Sequence, residues 1–217
     1  MQYYLFDLDG TLVDSGIGIT SGVQYALKHM GIEVEDLRQL YKFIGPPLRE
    51  AFMEFFNLSE TQAQEAVGYY REYYRATGLF ENTVYPGIET VLDQLKSQGK
   101  IIALATSKPE GFAEQILEHY QLANYFDYIG GATFDGVRSE KLDVIRYVLQ
   151  SLGNPTSDQV VMVGDHKFDV LAGNQLGLTT VGVLYGYGSQ AELQAAKADY
   201  IIEQPIDLLQ VIDQQGK

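Results

Sequence analysis

Residues 3–11 read YYLFDLDGT, an apolar and aromatic run that stops at two aspartates, a glycine and a threonine. Side chains alternate along a strand, so Asp7 and Asp9 are predicted to point to the same side. Two adjacent carboxylates repel each other, so either a cation lies between them or one of them holds a proton. A divalent metal with oxygen ligands is the simplest solution, and Gly10 allows a sharp turn close to whatever binds there.

Length and composition indicate one large domain, or a domain with a small insert. The 217 residues are 46% hydrophobic, which is enough for a buried core. The net charge of −14 and the pI of about 4.5 argue against nucleic acid or an anionic membrane as the main partner. There are no cysteines, which excludes disulfides and thiol chemistry. We see neither a signal-peptide pattern nor an apolar run long enough to span a bilayer, and we expect a cytoplasmic protein.

Strand and helix patterns alternate in the second part of the chain. Apolar runs typical of strands lie at 100–106, 126–130, 159–164, 179–184 and 200–202. Apolar residues at helical spacing precede the first of these runs and lie between most of the others. This succession predicts a doubly wound α/β sheet of parallel strands with helices on both faces.

Residues 14–83 interrupt the alternation directly after the first strand. They carry apolar stripes at helical spacing and no convincing strand, and Ser59 followed by Gln62 is typical of a helix start. We therefore predict an all-helical cap domain at 14–83, inserted into an α/β core made of residues 1–13 and 84–217.

Polar side chains that suit one site follow three of the predicted strands or begin the helix between two of them: Asp7, Asp9, Thr106, Ser107, Lys108, Lys141, Asp165 and Asp169. In open α/β sheets, ligands bind beyond the carboxyl ends of the strands. The sequence therefore predicts that these side chains converge at one edge of the sheet.

The order and spacing of these residues resemble the haloacid dehalogenase superfamily of phosphotransferases, over essentially the whole chain. Residues 7–11 (DLDGT) match the family's DxDGT signature, and residues 164–169 (GDHKFD) match its GDxxxD motif. Thr106 and Lys141 fit the two weaker motifs that lie between them. The insert resembles the family's cap of the first type, and the layout is most similar to phosphoglycolate phosphatase-like enzymes.

This resemblance implies phosphoryl transfer through an aspartyl-phosphate. Asp7 would be the nucleophile, and Asp9 would protonate the leaving group and then deprotonate the attacking water. The implied cofactor is Mg²⁺, bound by Asp7, Asp165, Asp169 and the backbone carbonyl of Asp9. The implied ligands of the phosphoryl oxygens are Gly10, Thr106, Ser107 and Lys141.

Three positions leave alternatives open. The family's lysine is often followed by proline, whereas Lys141 is followed by leucine, and Arg138 could be argued for instead. We favour Lys141 because it lies at a predicted helix start, where backbone N–H groups also attract phosphate. Arg49 in the insert is either a substrate contact or a surface arginine. For His166, between the two aspartates of the second motif, we favour a structural role or a place at the rim of the site over a role as acid or base.

The predicted activity is Mg²⁺-dependent hydrolysis of a small phosphorylated metabolite, with phosphoglycolate as the first candidate and nucleoside monophosphates next. The presence of Asp9 points to phosphate esters, since the dehalogenases of the superfamily lack this second aspartate. A sugar phosphomutase on the same scaffold is an alternative, and its cap would have to retain a bisphosphate intermediate. A non-catalytic module that accepts phosphate on Asp7 is a further alternative, although such modules have no insert. We expect a monomer or a homodimer.

Overall fold

A computed structural model of the chain describes residues 1–214. The strands in this part are β1 (Tyr3–Phe6), β2 (Val13–Asp14), β3 (Thr83–Val84), β4 (Ile101–Pro109), β5 (Tyr128–Ala132), β6 (Val160–Gly164), β7 (Thr179–Val183) and β8 (Tyr200–Ile202). The α-helices are α1 (Gly16–His29), α2 (Leu48–Phe56), α3 (Glu60–Ala76), α4 (Ile88–Ser97), α5 (Glu110–His119), α6 (Lys141–Ser151), α7 (Lys167–Gln175), α8 (Gln190–Ala195) and α9 (Leu208–Gln214).

Six strands form one sheet in the order β5-β4-β1-β6-β7-β8, and every neighbouring pair in it is parallel. The short strands β2 and β3 form a second sheet. Helices connect successive strands of the six-stranded sheet, which confirms the predicted doubly wound α/β fold. Across residues 1–214, no helix is both long enough and apolar enough to cross a membrane.

The first strand of the chain lies in the middle of the sheet. Its side chains Tyr4, Leu5 and Phe6 are buried, as expected for a parallel strand that is covered on both faces. Phe6 pairs with Leu104 on one side and with Val163 on the other. The residues that follow these three positions therefore emerge side by side at the carboxyl edge of the sheet.

The observed elements differ from the predicted ones mainly at their ends. β4 continues to Pro109, beyond the predicted end at residue 106, because Pro109 pairs with Ala132 after a shift in register. The sequence analysis missed α8, although Ser189 and Glu192 form a capping box at its start. Strand β5 lies two residues later than predicted.

The chain separates into two compact units, Met1–Val13 with Val84–Lys217, and Asp14–Thr83. The second unit contains α1, α2, α3 and the short 3₁₀ helix Leu37–Phe43, with the ring of Phe43 4.9 Å from that of Phe52. The predicted start of α3 is present as a capping box between Ser59 and Gln62. The role of this unit as a cap stays a prediction.

Candidate active site

The central strand ends in a tight turn at the carboxyl edge of the sheet. The Asp7 N–H still donates to the Val163 carbonyl at 2.9 Å, as a continuing strand would. The Leu8 carbonyl then accepts from the Leu12 N–H at 2.9 Å. Asp9 therefore lies in a turn, and the two aspartates contact different partners instead of standing side by side on a strand.

Three buried carboxylates lie together at this edge. Within the described residues, Asp7, Asp165 and Asp169 form a group whose oxygen atoms lie within 4.8 Å of one another and could hold a metal ion. Burial raises the pKa of Asp165 well above its usual range, and the charges of Asp169 and Asp7 raise it further. Burial also raises the pKa of Asp169, to about 6, against the opposing charge of Lys141. The cluster therefore favours a bound cation, or bound protons where no cation is present.

Lys141 is a buried counter-charge within this cluster. Its Nζ lies 2.8 Å from Asp7 Oδ2 and 2.8 Å from Asp169 Oδ1, and it donates to the Ala105 carbonyl at 3.1 Å. Burial lowers the pKa of this ammonium, but the charges of Asp169 and Asp7 outweigh that effect, and the pKa is raised. Lys141 is therefore held in its charged form.

The structure places Arg138, the alternative to Lys141, in a different environment. Its guanidinium donates to the Gly131 carbonyl at 2.8 Å and to Glu110 at 3.0 Å, and lies 3.5 Å from the ring centroid of Tyr147. These contacts tie α5, β5 and α6 together. Lys141, as the first residue of α6, is the cation that joins the aspartates.

Asp9 has a lysine of its own, Lys108, to which the sequence analysis assigned no role. Lys108 Nζ donates to Asp9 Oδ2 at 2.7 Å and to Oδ1 at 2.9 Å. The sequence placed Lys108 among the polar residues that end the strand, but it did not predict the register shift between β4 and β5 beside which this lysine reaches Asp9.

The predicted phosphate ligands lie around the same edge. Thr106 is buried, and its hydroxyl accepts from the Lys108 backbone N–H at 3.2 Å. Ser107 follows it and is half-buried. Gly10 has a φ of +78°, and a Cβ at this position would overlap the carboxylate of Asp165. The backbone at Gly10 can therefore approach the metal-binding cluster only because it lacks a side chain.

The loop after β7 also contacts the cluster, and the sequence analysis missed it as well. The Tyr187 N–H donates to Asp165 Oδ2 at 2.7 Å, which lowers the pKa of this carboxyl and so opposes the effect of burial. A Cβ on Gly186 would overlap the carbonyl of Gly10 and the side chain of Asp165. The glycines and tyrosines in LYGYGS (residues 184–189) are the only sequence signal for this approach, and they resemble an ordinary loop.

Two candidate residues have local partners. In the second unit, Arg49 is 47% exposed and pairs with Glu50 at 2.7 Å and with Glu60 at 3.6 Å. His166 stacks on Phe168, with ring centroids 4.8 Å apart, and burial lowers its pKa. Its backbone N–H donates to Asp169 Oδ2 at 3.1 Å, so His166 helps to orient this carboxylate through the main chain.

Residues 4–183 match the family model of the haloacid dehalogenase-like hydrolases, and the chain belongs to this family. The match spans the whole unit at 14–83 and includes Asp7, Asp9, Lys108, Lys141, Asp165 and Asp169, and it ends before the loop at 184–189. It confirms the family resemblance that the DxDGT and GDxxxD motifs predicted.

The relatives point to phosphatase activity. The chain is 42% identical over 209 residues to a 5'-nucleotidase from Pseudomonas aeruginosa, and the match covers 96% of this chain and 94% of that protein. It is 33% identical over 214 residues to a phosphoglycolate phosphatase from Aquifex aeolicus, with 98% and 97% covered. A crystal structure of a predicted phosphatase from Clostridium acetobutylicum shares 50% identity and a TM-score of 0.95, with 98% of each chain covered. The protein is thus a phosphatase of the haloacid dehalogenase-like family.

Proposed function

We propose that this phosphatase is magnesium-dependent and hydrolyses small phosphate monoesters through a phosphorylated Asp7. The observation that carries the proposal is the charge balance of the site. Four carboxylates (Asp7, Asp9, Asp165 and Asp169) lie at the site with two lysines (Lys108 and Lys141). The lysines contact Asp7, Asp9 and Asp169 at 2.7–2.8 Å, and Asp165 lies close to Asp7 and Asp169. With all six groups ionised, four negative and two positive charges leave an excess of two negative charges, which one divalent cation would balance.

The residues present fit Mg²⁺. The donor set consists of carboxylate oxygens, which are the ligands that this ion prefers. Asp7, Asp165 and Asp169 would hold the ion. When bound, it would neutralise charge on the phosphoryl oxygens during transfer.

The contacts of Asp7 prepare it to act as the nucleophile. Its Oδ1 accepts from the Leu8 N–H at 2.7 Å, and its Oδ2 lies 2.8 Å from Lys141 Nζ, so the carboxylate is held in one orientation. In the proposed first step an Asp7 oxygen bonds to phosphorus, while the bond from phosphorus to the ester oxygen breaks. Lys141 would offset the charge that develops on the phosphoryl oxygens.

Asp9 would move the protons in both steps. It would give a proton to the departing ester oxygen, and would then take one from the water that attacks the phosphorylated Asp7. Inorganic phosphate would leave, Asp7 would again be a free carboxylate, and Asp9 would again hold the proton that it gives to the next leaving oxygen. Acid assistance matters most for alkyl esters, because their leaving oxygens are strongly basic.

For the substrate, we propose nucleoside 5'-monophosphates first and phosphoglycolate second. The support is the order of identity, with the 5'-nucleotidase of Pseudomonas aeruginosa at 42% and the phosphoglycolate phosphatase of Aquifex aeolicus at 33%. A sugar phosphomutase stays a weaker alternative, because the relatives named above carry no such name.

A turnover screen tests this proposal. Release of inorganic phosphate is measured for nucleoside monophosphates, phosphoglycolate and hexose phosphates, with Mg²⁺ and with a chelator. We expect release that requires Mg²⁺ and that is fastest with a nucleotide or with phosphoglycolate. Isomerised sugar phosphate without net phosphate release would favour the mutase. Equal rates in the chelator would contradict the role of the metal.

A further inference from the structure

Lys108 makes the closest side-chain contact to Asp9 that the structure describes. Its Nζ reaches both oxygens, at 2.7 and 2.9 Å, and only 5% of the lysine side chain and 16% of the aspartate side chain are exposed. A lysine so deeply buried loses its hydration and much of its conformational freedom, and solvent screens the pair far less than an ion pair at the surface. Such a contact fixes the orientation of both side chains.

The local structure of β4 directs Lys108 to this position. The strand does not end at Thr106 but shifts its register against β5 and pairs again at Pro109. The Lys108 N–H donates to the Thr106 hydroxyl within this irregular segment. This irregular segment brings the Lys108 side chain to the turn that carries Asp9.

The Asp9 side chain also lies outside the metal-binding group. The carboxylates that approach one another within 4.8 Å are Asp7, Asp165 and Asp169, and Asp9 is not among them. Lys141 is the cation that contacts the first group, through Asp7 and Asp169, whereas Lys108 pairs with Asp9. Two acids that stand two residues apart in the sequence are thus given different environments by two different lysines.

We propose that Lys108 is a positioning residue. It holds the Asp9 carboxylate apart from the metal-binding group and orients it towards the leaving oxygen and the attacking water, with which Asp9 exchanges protons. This inference rests on the proposed role of Asp9 in the phosphatase reaction. Lys108 takes no part in bond making: the proton passes between Asp9 and the leaving oxygen, or between water and Asp9. A displaced Asp9 would slow both transfers, since a misplacement of about 1 Å can reduce a rate by roughly 10²-fold.

The rival role for Lys108 is a direct contact with the substrate, and a double-mutant cycle separates the two. Lys108→Met, Asp9→Asn and the double variant are compared with wild type in the presence of Mg²⁺, with a nucleoside monophosphate and with p-nitrophenyl phosphate. If Lys108 acts through Asp9, its removal has no further effect once Asp9 has lost its carboxylate. A lysine that contacts the substrate would cost the same factor in either background.

We expect Lys108→Met to lower kcat for the alkyl ester by about 10²-fold, with KM little changed. The loss should be smaller for p-nitrophenyl phosphate, because its leaving group needs little acid assistance. In the Asp9→Asn background the same substitution should change kcat by less than about 2-fold. The matched control is Lys96→Met, which breaks another lysine–aspartate pair, to Asp127 at 2.9 and 3.0 Å, at the opposite end of the sheet. This control should keep the wild-type kcat.

Three results would overturn the inference: a kcat that is unchanged or raised in Lys108→Met, a loss in KM alone, or an equal loss in the Asp9→Asn background. If Lys108→Met does not fold, as judged by its melting temperature, Lys108→Gln is judged by the same comparison. The double variant removes both charges together and so leaves no buried charge unpaired. Absence of Mg²⁺-dependent phosphate release from the wild type would instead refute the proposed function, and the two failures are therefore distinguishable.

Discussion

The two units of the chain bury different kinds of polar side chains. Among the residues whose burial is described, the charged ones that are buried all lie in the α/β unit: Asp7, Lys108, Lys141, Asp165 and Asp169. The buried polar side chains of the unit at 14–83 are uncharged: Ser15, Thr20 and Asn82. Burying an ion costs several kcal/mol unless it is paired, so a fold does not accumulate buried charges without a compensating use.

The charged cluster is therefore the part of the α/β unit in which buried charges lower stability, and in the proposed function the same charges serve catalysis. Three of its aspartates raise one another's free energy, and Lys141 offsets only part of that repulsion. The unit at 14–83 follows the ordinary rules of a helical core, with aromatic packing and a capping box. If this difference is functional, substitutions in the cluster should affect activity and stability far more than substitutions of exposed charges.

The largest expected effect is that of Asp7→Asn on turnover. The amide keeps the shape of the side chain but is a poor nucleophile, so kcat should fall by roughly 10⁴-fold or more. Phosphate release from p-nitrophenyl phosphate measures the loss, and the melting temperature shows whether the fold is retained. Residual activity within about 10-fold of wild type would rule out Asp7 as the nucleophile.

The next effect concerns stability and compares a buried lysine with an exposed one. Lys141→Met leaves two of the buried aspartates without their cation and should lower the free energy of unfolding by about 3–5 kcal/mol. Lys96→Met breaks the exposed pair with Asp127 and should cost about 0.2–1 kcal/mol. Urea denaturation of both variants, without metal, measures the difference. Similar losses in the two variants would show that removing the buried lysine lowers stability no more than removing an exposed one.

The sequence predicted the sheet and most of the cluster, because these depend on local patterns. Apolar runs that end in polar residues located Asp7, Thr106 and Asp165, and the parallel order of the strands brought them to one edge. It did not predict that Lys108 pairs with Asp9. That contact depends on a register shift between β4 and β5, which arises from tertiary packing and leaves no periodic signal.

The sequence also did not predict that the loop after β7 approaches the carboxylate cluster. The Tyr187 N–H that binds Asp165 comes from the main chain, so no side-chain type at this position reveals it. Gly186 is needed because a Cβ would overlap Gly10 and Asp165. In a single sequence, a glycine required for close packing looks the same as a glycine in any turn.

A third prediction follows from the raised pKa values of Asp165 and Asp169. A carboxyl whose pKa in the folded protein lies above its usual value of 3.8 contributes its full stabilisation below about pH 3.8. This contribution is lost as the pH rises through the pKa in the folded protein, which for Asp169 is about 6. The metal-free protein should therefore lose stability between about pH 4 and pH 6 as Asp169 ionises, and the raised pKa of Asp165 contributes a loss of the same sign.

Bound Mg²⁺ should oppose this loss, since it binds the ionised carboxylates. The metal-dependent gain in stability should grow as the pH rises, to about 2.7 kcal/mol when the free ion is at 100 times its dissociation constant. Melting temperatures at several pH values, with Mg²⁺ and with a chelator, measure it. A gain that is constant with pH, or largest at pH 4, would contradict a site made of these carboxylates. Ca²⁺ is a useful comparison, because its larger shell suits this compact donor set less well.

The smallest expected effect is that of Arg49→Ala, and it tests the comparison from the side of the helical unit. The pairs of Arg49 with Glu50 and Glu60 are about half-exposed or more, so their loss should change the free energy of unfolding by at most about 1 kcal/mol.

The activity of the Arg49→Ala variant decides between the two roles more sharply than its stability. If Arg49 binds the substrate, as the sequence analysis allowed, KM for a nucleotide should rise about 10-fold or more while the melting temperature hardly changes, because a charged hydrogen bond to a ligand contributes about 1.5–3 kcal/mol. Arg38→Ala is the matched control, since Arg38 also forms an exposed pair, with Asp36 at 2.9 Å. If both variants keep the wild-type KM, Arg49 is a surface residue, and the charges that matter for catalysis are confined to the α/β unit.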